Sequence, residues 1–222
     1  MNRKTAALIG ATGLIGNYLL QELLNDPYFE TVRVIVRRPY PKTNGKTEIK
    51  LVDFSDYESL KLAIDGSDVL FCAIGTTQKK VKGDKALYRS IDYDIPVKAA
   101  RICRETGCNK IVIVSSVGAD SGSGNFYLQL KGEVEDALAV SGVESVHIMQ
   151  PSFLTGERKE TRTGEGIGKF FFNGLSFLLA GPLRKYKPVH GKRVAMAMLR
   201  AAKSAVKGLT RYDYDDIMKN SS

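Results

Sequence analysis

The sequence has few of the residues that bind metals or form disulfides. Among its 222 residues there are only two histidines, His147 and His190, and three cysteines, Cys72, Cys103 and Cys108. The cysteine count is odd, and the spacings match neither a metal site nor a disulfide framework. We therefore expect no metal site and a reducing compartment.

The sequence also lacks a hydrophobic run of membrane-spanning length. The apolar stretch near the N-terminus is broken by glycine after about five residues, which is too short for a signal peptide. The run at 170–181 is interrupted by Asn173 and Gly174 and falls short of the roughly 20 apolar residues that a span needs. We assign this run to a lid core or a subunit contact. The expectation is a cytoplasmic protein without a membrane span, either monomer or homodimer.

Positive charge is in excess. The formal net charge is +9 and the sequence pI is near 9.4, which favours anionic partners such as nucleotide phosphates. The densest basic cluster contains Lys79, Lys80, Lys82 and Lys85, without interleaved aromatic residues on which bases could stack. We therefore expect an ordinary basic enzyme and no nucleic-acid partner.

Segments of strand and helix type alternate along the first 150 residues. The runs at 68–75 and 110–116 are continuously apolar, as parallel strands covered on both faces require. Because parallel strands need long crossovers, the pattern predicts an α/β Rossmann fold with a doubly wound parallel sheet. The predicted strands are 5–9, 31–38, 48–52, 68–75, 110–116 and 143–151; the predicted helices are 14–24, 55–64 with Ser55 as N-cap, one from Leu87 to Ile102 that bends or restarts near Pro96, and one after Lys131.

The last third of the sequence is less regular. Residues 156–174 are basic and rich in glycine, and a helical pattern returns around 194–205. We therefore predict a single domain with a dinucleotide-binding core over 1–150 and a small substrate-binding lobe over 151–222 that closes over the ligand crevice.

Gly10, Gly13 and Gly16 follow the first strand and open the first helix. In this position, glycines allow a tight turn, a close approach of the backbone to a pyrophosphate, and close packing of the helix on the sheet. The helix N-terminus supplies free N–H donors and positive potential for phosphates. The motif predicts a dinucleotide cofactor.

The end of the second predicted strand indicates which dinucleotide binds. An NAD enzyme usually has a carboxylate there for the ribose 2′-hydroxyl, whereas this sequence has Arg37 and Arg38. Guanidinium groups suit a 2′-phosphate, so we predict NADP(H) rather than NAD(H). Further contacts are expected after the third and fourth strands, from Asp53, Phe54, Ile74, Gly75 and Thr76.

Tyr127 and Lys131 are four residues apart and share one face of a predicted helix. A nearby ammonium lowers the pKa of a phenol towards the working range of an acid–base catalyst. Ser115 and Ser116 end the fifth predicted strand, where a hydroxyl can orient a carbonyl or alcohol. We therefore predict a catalytic group of Tyr127, Lys131 and Ser116.

Together these motifs resemble the short-chain dehydrogenase/reductase superfamily. The segments GATGLIG, VRRP, CAIGTT, SSVGADSGSGNFYLQLKGEVE and QPSFLTGERKETRTGE are similar to its atypical branch, typified by the HIV Tat-interacting protein, over roughly residues 5–200. The resemblance implies a Rossmann fold, bound NADP(H), and proton transfer by Tyr127 with Lys131 as its partner. It also implies cofactor contacts by Thr12, Gly13, Leu14 and Ile15 at the phosphates, Arg37 and Arg38 at the 2′-phosphate, Leu154 and Arg162 on the nicotinamide side, and Lys131.

The sequence departs from the superfamily pattern at one catalytic position. Where many members have an asparagine that completes a proton relay, this chain has Asp92. The favoured function is an oxidoreductase acting on a small carbonyl or alcohol. Two alternatives stay open: an NADPH-binding regulator with a protein partner, and an enzyme similar to nucleotide-sugar epimerases, although the segment after the sixth strand is short for such a substrate.

Overall fold

The computed structural model describes residues 4–41, 45–156 and 181–221. All six strands predicted from the sequence are present, with somewhat different ends. The strands are β1 Lys4–Ile9, β2 Phe29–Val36, β3 Thr47–Leu51, β4 Val69–Cys72, β5 Lys110–Val114, β6 Ser145–Met149, β7 Leu154–Thr155, β8 Val189–His190 and β9 Gly208–Tyr212.

The helices alternate with the strands as the crossovers of a parallel sheet require. A single π-helical turn, Ser90–Asp94, separates two of them, and a 3₁₀ helix covers Gly181–Tyr186. The α-helices are α1 Leu14–Asn25, α2 Tyr57–Ile64, α3 Lys85–Arg89, α4 Ile95–Thr106, α5 Phe126–Ala139, α6 Gly191–Lys203 and α7 Tyr214–Lys219.

The central sheet has seven parallel strands in the order β3-β2-β1-β4-β5-β6-β9. The chain moves outward from β1 to β3, and then crosses back to place β4 on the other side of β1. Ligands of such sheets bind at the carboxyl ends of the strands near this reversal. The doubly wound fold is therefore confirmed, and the crevice lies beyond the ends of β1 and β4.

Each face of the sheet has its own hydrophobic core. Because side chains alternate along a strand, Leu8 of β1 points into one core and Ile9 into the other. Helices α1 and α6 cover the first face, where Leu19 and Met198 are buried. Helices α2, α4 and α5 cover the second, where Ile102 is buried.

Two local predictions need correction or refinement. Ser55 does not cap α2: the Asp56 side chain accepts from the Glu58 backbone N–H at 3.0 Å, while Ser55 bonds to Asp53. The long helix predicted from Leu87 is divided into α3, the π-helical turn and α4. A proline near the start of α4 explains the new start, because its missing N–H costs nothing there.

The sheet contains one strand more than the sequence predicted. Strand β9, at Gly208–Tyr212, pairs with β6, so the segment after residue 150 contributes to the sheet and covers its first face with α6. The division at residue 150, with a lobe that closes over the crevice, stays a prediction because residues 157–180 lie outside the described part. The same is true of nearly all of the apolar run at 170–181. No helix in the described ranges combines the length and apolar character needed to cross a membrane.

Candidate functional site

In the turn between β1 and α1, glycines let backbone segments approach each other closely. Gly10 has a φ of +94°, and a Cβ there would lie 2.6 Å from the backbone of Ala73 at the end of β4. At Gly16, a Cβ would collide with the carbonyl oxygen of Gly10. Side chains at these positions would push the helix off the turn. The tight turn and the close packing of the helix predicted for this motif are therefore confirmed at Gly10 and Gly16, while the close approach to a pyrophosphate stays a prediction.

The start of α1 offers backbone donors to an anion. Gly13 stands at the N-cap position, no side chain caps the helix, and its first turn holds no acidic residue. Thr12 is exposed, Leu14 is half-buried, and Ile15 points into the core. The first backbone N–H groups of an α-helix have no partners within the helix. Such a start fits the pyrophosphate of a dinucleotide.

Arg37 and Arg38 follow the end of β2 directly, and both are exposed. No ion pair joins either residue to another in the described part of the chain. Across the adjacent strand end, Asp53 Oδ1 accepts from the Ser55 backbone and hydroxyl at 2.8 and 2.7 Å, and these bonds lower the pKa of the Asp53 carboxyl. Phe54 is half-buried beside the second core. The two guanidinium groups are thus available at the crevice edge.

The segment after β4 is held by α3 and by the π-helical turn. Ile74 is half-buried, Gly75 is exposed, and Thr76 is buried. The Thr76 backbone N–H donates to Asp92 Oδ1 at 2.7 Å. The Tyr88 hydroxyl donates to the Thr76 carbonyl at 3.3 Å. Three predicted cofactor contacts therefore lie on one segment, which is fixed from both sides.

Tyr127 lies in the first turn of α5, whose start is capped by the Asn125 side chain. Its side chain is 37% exposed, whereas Lys131, one turn later, is buried. The Lys131 Nζ atom lies 6.0 Å from the centre of the Tyr127 ring. The structure thus brings the predicted pair together, with the phenol facing solvent and the ammonium behind it.

Lys131 forms an ion pair with Asp92. The distance from Nζ to Oδ2 is 3.1 Å, and Asp92 is 1% exposed. Both side chains are buried, so this ion pair is shielded from solvent. Burial, the largest single influence, would lower the pKa of Lys131, but the Asp92 carboxylate together with Tyr127 raises that pKa above its ordinary value. The lysine is therefore charged at neutral pH.

The two serines after β5 have different surroundings. Ser115 is buried and donates its hydroxyl to Glu135 Oε1 at 2.6 Å. Ser116 is half-buried, and its hydroxyl bonds at 3.3 Å to the carbonyl of Val117. Because Ser115 already has a carboxylate partner, Ser116 is the serine whose hydroxyl can turn to another acceptor. This difference agrees with the choice of Ser116 as the candidate catalytic residue.

Glu135 is a buried residue that the sequence analysis missed. Besides Ser115, it accepts from the side chains of Gln150, at 2.9 Å, and Arg211, at 2.7 Å. It continues the four-residue spacing of Tyr127 and Lys131 along α5, and this spacing could have revealed it. Nothing near Arg211 in the sequence points to this contact, because the contact depends on strand β9.

The two short strands β7 and β8 border the glycine-containing turn between β1 and α1. Leu154 is half-buried and packs on the first core. A Cβ at Gly156 would lie 3.3 Å from both Leu14 and His190, so this pair sits against the start of α1. Leu154 is thus on the segment that borders the crevice. The remaining predicted contact, Arg162, lies outside the described residues.

A family described as NAD(P)H-binding matches residues 10–172 of the chain. Among similar proteins, HTATIP2 of Rattus norvegicus is 33% identical over 178 residues, which is 79% of this chain and 73% of that protein. The mitochondrial protein FMP52 of Candida glabrata is 33% identical over 208 residues, covering 91% of this chain and 86% of that protein. Further relatives of 31% and 30% identity are also named as mitochondrial FMP52 proteins. These names contradict the predicted cytoplasmic location and point to mitochondria, so that prediction is wrong.

Among solved structures, a UDP-N-acetylglucosamine 4-epimerase from Methanobrevibacter ruminantium M1 has a TM-score of 0.70 and 17% identity over 96% of this chain and 77% of that one. MoeE5, in complex with UDP-glucose and NAD, also has a TM-score of 0.70, at 16% identity over 98% of this chain and 80% of that one. These similarities independently support the Rossmann-like fold. The chain therefore belongs to the NAD(P)H-binding family, in the atypical branch of the short-chain dehydrogenases/reductases that resembles HTATIP2.

Proposed function

We propose that this protein is an NADP(H)-dependent oxidoreductase that interconverts a small carbonyl compound and its alcohol. The observation that carries the proposal is the arrangement of Tyr127 and Lys131. An exposed phenol with a buried, charged ammonium one helical turn behind it stands at the crevice of a dinucleotide-binding fold. A surface role for the tyrosine would not need a buried lysine, which loses hydration energy on burial.

Each residue of the pair has a defined part in proton transfer. In carbonyl reduction, the Tyr127 hydroxyl donates its proton to the substrate oxygen; in alcohol oxidation, the phenolate takes the proton back. Lys131 stabilises the phenolate, and the Ser116 hydroxyl donates a hydrogen bond that orients the substrate oxygen. A bound nicotinamide supplies the hydride for reduction and accepts it in oxidation.

The proposed cofactor is NADP(H). Its pyrophosphate would contact Thr12, Gly13, Leu14 and Ile15, and its 2′-phosphate would contact Arg37 and Arg38. The two guanidinium groups at the end of β2 are exposed and form no ion pair within the described residues, which supports this preference, since forked donors match a phosphate. Asp53 and Phe54 would border the adenine. Contacts on the nicotinamide side are proposed for Ile74, Gly75, Thr76, Lys131, Leu154 and Arg162.

The decisive experiment compares wild type with Tyr127→Phe in the NADPH-dependent reduction of a panel of small aldehydes and ketones. Tyr28→Phe is a matched control, because Tyr28 is 38% exposed and Tyr127 is 37% exposed. We expect Tyr127→Phe to lower the turnover rate at least ~100-fold and Tyr28→Phe to leave it unchanged. Equal rates for the two variants, or no cofactor oxidation by wild type with any compound, would overturn the proposal. Calorimetry should show tighter binding of NADPH than of NADH.

The relatives that are named as mitochondrial support a mitochondrial location for this chain as well. Fractionation of the source cells, followed by detection of the protein in each fraction, tests this location. Recovery outside the mitochondrial fraction would contradict it.

A further inference from the structure

We propose that Asp92 is a positioning residue that neutralises Lys131, so that Tyr127 stays protonated to higher pH and the site is set for carbonyl reduction. This inference rests on the proposed function, because it concerns the same proton transfer. It adds the favoured direction of proton movement, which the Tyr127–Lys131 pair alone does not determine.

The geometry leaves Asp92 few other roles. Its side chain lies between α5 and the segment that follows β4. Its Oδ1 accepts from the Thr76 N–H at 2.7 Å, and its Oδ2 lies 3.1 Å from the Lys131 ammonium. The residue sits in the π-helical turn between α3 and α4. Such turns are rare and frequently mark functional sites. A purely structural acceptor for Thr76 would not need a negative charge.

The charge count around Lys131 is simple. Asp92 faces it from the π-helical turn, Tyr127 from α5 itself, and Cys72 from β4. Burial raises the pKa of the Cys72 thiol to about 11, so this group is neutral at physiological pH. Glu135 is the next carboxylate along α5 and is already paired with Arg211. Within the described ranges, Asp92 is thus the carboxylate that faces the lysine charge.

This pairing changes how the ammonium acts on the phenol. An isolated cation would favour the phenolate, which is the base that alcohol oxidation requires. A cation paired with a buried carboxylate exerts a weaker field, so it favours the phenolate less than an isolated cation would. Reduction consumes that phenolic proton: the proton would go to the substrate oxygen, while a bound nicotinamide would supply the hydride to the carbonyl carbon and would itself be oxidised. The overall equilibrium is unchanged, but reduction remains possible to higher pH.

The test measures ionisation of Tyr127 directly, without substrate. Protein labelled with ¹³C at tyrosine Cζ is titrated by NMR, free and with NADPH bound, and Tyr127→Phe identifies the signal. In Asp92→Asn, which keeps an oxygen for the Thr76 N–H, we expect the midpoint of the Tyr127 titration to fall by about one pH unit or more. Asp94→Asn is the matched control, since it removes an equal charge from an exposed position in the same turn; it should shift the midpoint much less.

The result that would overturn the inference is an unchanged or higher midpoint in Asp92→Asn. If that variant folds poorly, a comparison of Lys131→Met with the double variant Asp92→Asn/Lys131→Met answers the same question: the Tyr127 midpoint should be lower in the double variant, and equal midpoints would contradict the inference. Where a substrate is found, the pH above which reduction declines should fall in Asp92→Asn by the same amount as the NMR midpoint. Absence of turnover in wild type would count against the proposed function and leave the titration result standing.

Discussion

Helix α5 carries two buried charged side chains one turn apart, and their surroundings differ. Lys131 faces Asp92, with which it forms a single ion pair at 3.1 Å. Glu135 receives hydrogen bonds from Ser115, Gln150 and Arg211. The Lys131–Asp92 pair lies behind an exposed tyrosine at the crevice. Glu135 instead joins α5 to the residues that follow β5 and β6 and to strand β9.

The difference separates a reactive site from a structural one. A buried carboxylate with several well-placed donors recovers the hydration energy that it lost on burial, and it fixes the elements that supply the donors. Asp92 accepts one backbone hydrogen bond, from Thr76, and pairs with one ammonium, so it recovers less hydration energy than Glu135 does with three side-chain donors. Its retention beside Tyr127 is consistent with a chemical role.

The largest expected effect is that of Lys131→Met. The variant leaves Asp92 buried without its counterion, so we expect the free energy of unfolding to fall by ~3 kcal/mol and turnover to fall at least ~100-fold. Urea denaturation and the carbonyl assay measure the two effects. The double variant Asp92→Asn/Lys131→Met should recover most of the stability and none of the turnover. A Lys131→Met variant that keeps both its stability and its turnover would contradict the assignment of Lys131 to the catalytic group.

A smaller effect is expected for Glu135→Gln. The amide places an NH₂ group among donors, which should cost ~2 kcal/mol of unfolding free energy. Arg211, whose side chain is 45% exposed, can regain hydration. The matched control on the same helix is Glu133→Gln, which breaks a surface pair with Arg89 and should cost less than ~1 kcal/mol. Turnover per folded molecule should stay near wild type; a large loss would place Glu135 in the catalytic group.

The smallest expected effect concerns His147, a buried residue on the face of the sheet opposite α5. Its Nδ1 lies 2.9 Å from the Tyr212 hydroxyl, and burial, helped by the charge of Lys110, lowers its pKa from 6.5 to about 4. As pH falls, His147 is protonated at a higher pH in the unfolded chain than in the folded protein. Its contribution to stability is therefore fully present above about pH 6.5 and is lost as pH falls towards 4. Between pH 7 and 5 we expect a loss of up to ~2 kcal/mol from this group.

Urea denaturation at these two pH values measures the loss for wild type and for His147→Gln. The glutamine variant has no group that titrates in this range at that position, so its stability should change less. An equal change in both proteins would show that other groups cause the acid sensitivity.

Much of the fold could be predicted because its signals are local. Six strands were visible as apolar runs, and the continuous runs at β4 and β5 showed that both faces of the sheet are covered. Strand β9 was missed because it is an edge strand that starts with glycine and has one buried residue, Tyr212. Ser55 has a hydroxyl suitable for an N-cap, but this hydroxyl donates to Asp53 instead.

The sequence by itself determined the glycine-containing turn between β1 and α1 and the helix face that Tyr127 and Lys131 share. Both depend on spacings of three or four residues within one strand–turn–helix unit or one helix, so backbone geometry is sufficient to predict them. Only the tertiary structure decided the partners of the buried charges: Asp92 meets Lys131 across two elements, and Arg211 meets Glu135 from 76 residues away. Such contacts depend on how distant elements pack, and no local pattern encodes that packing.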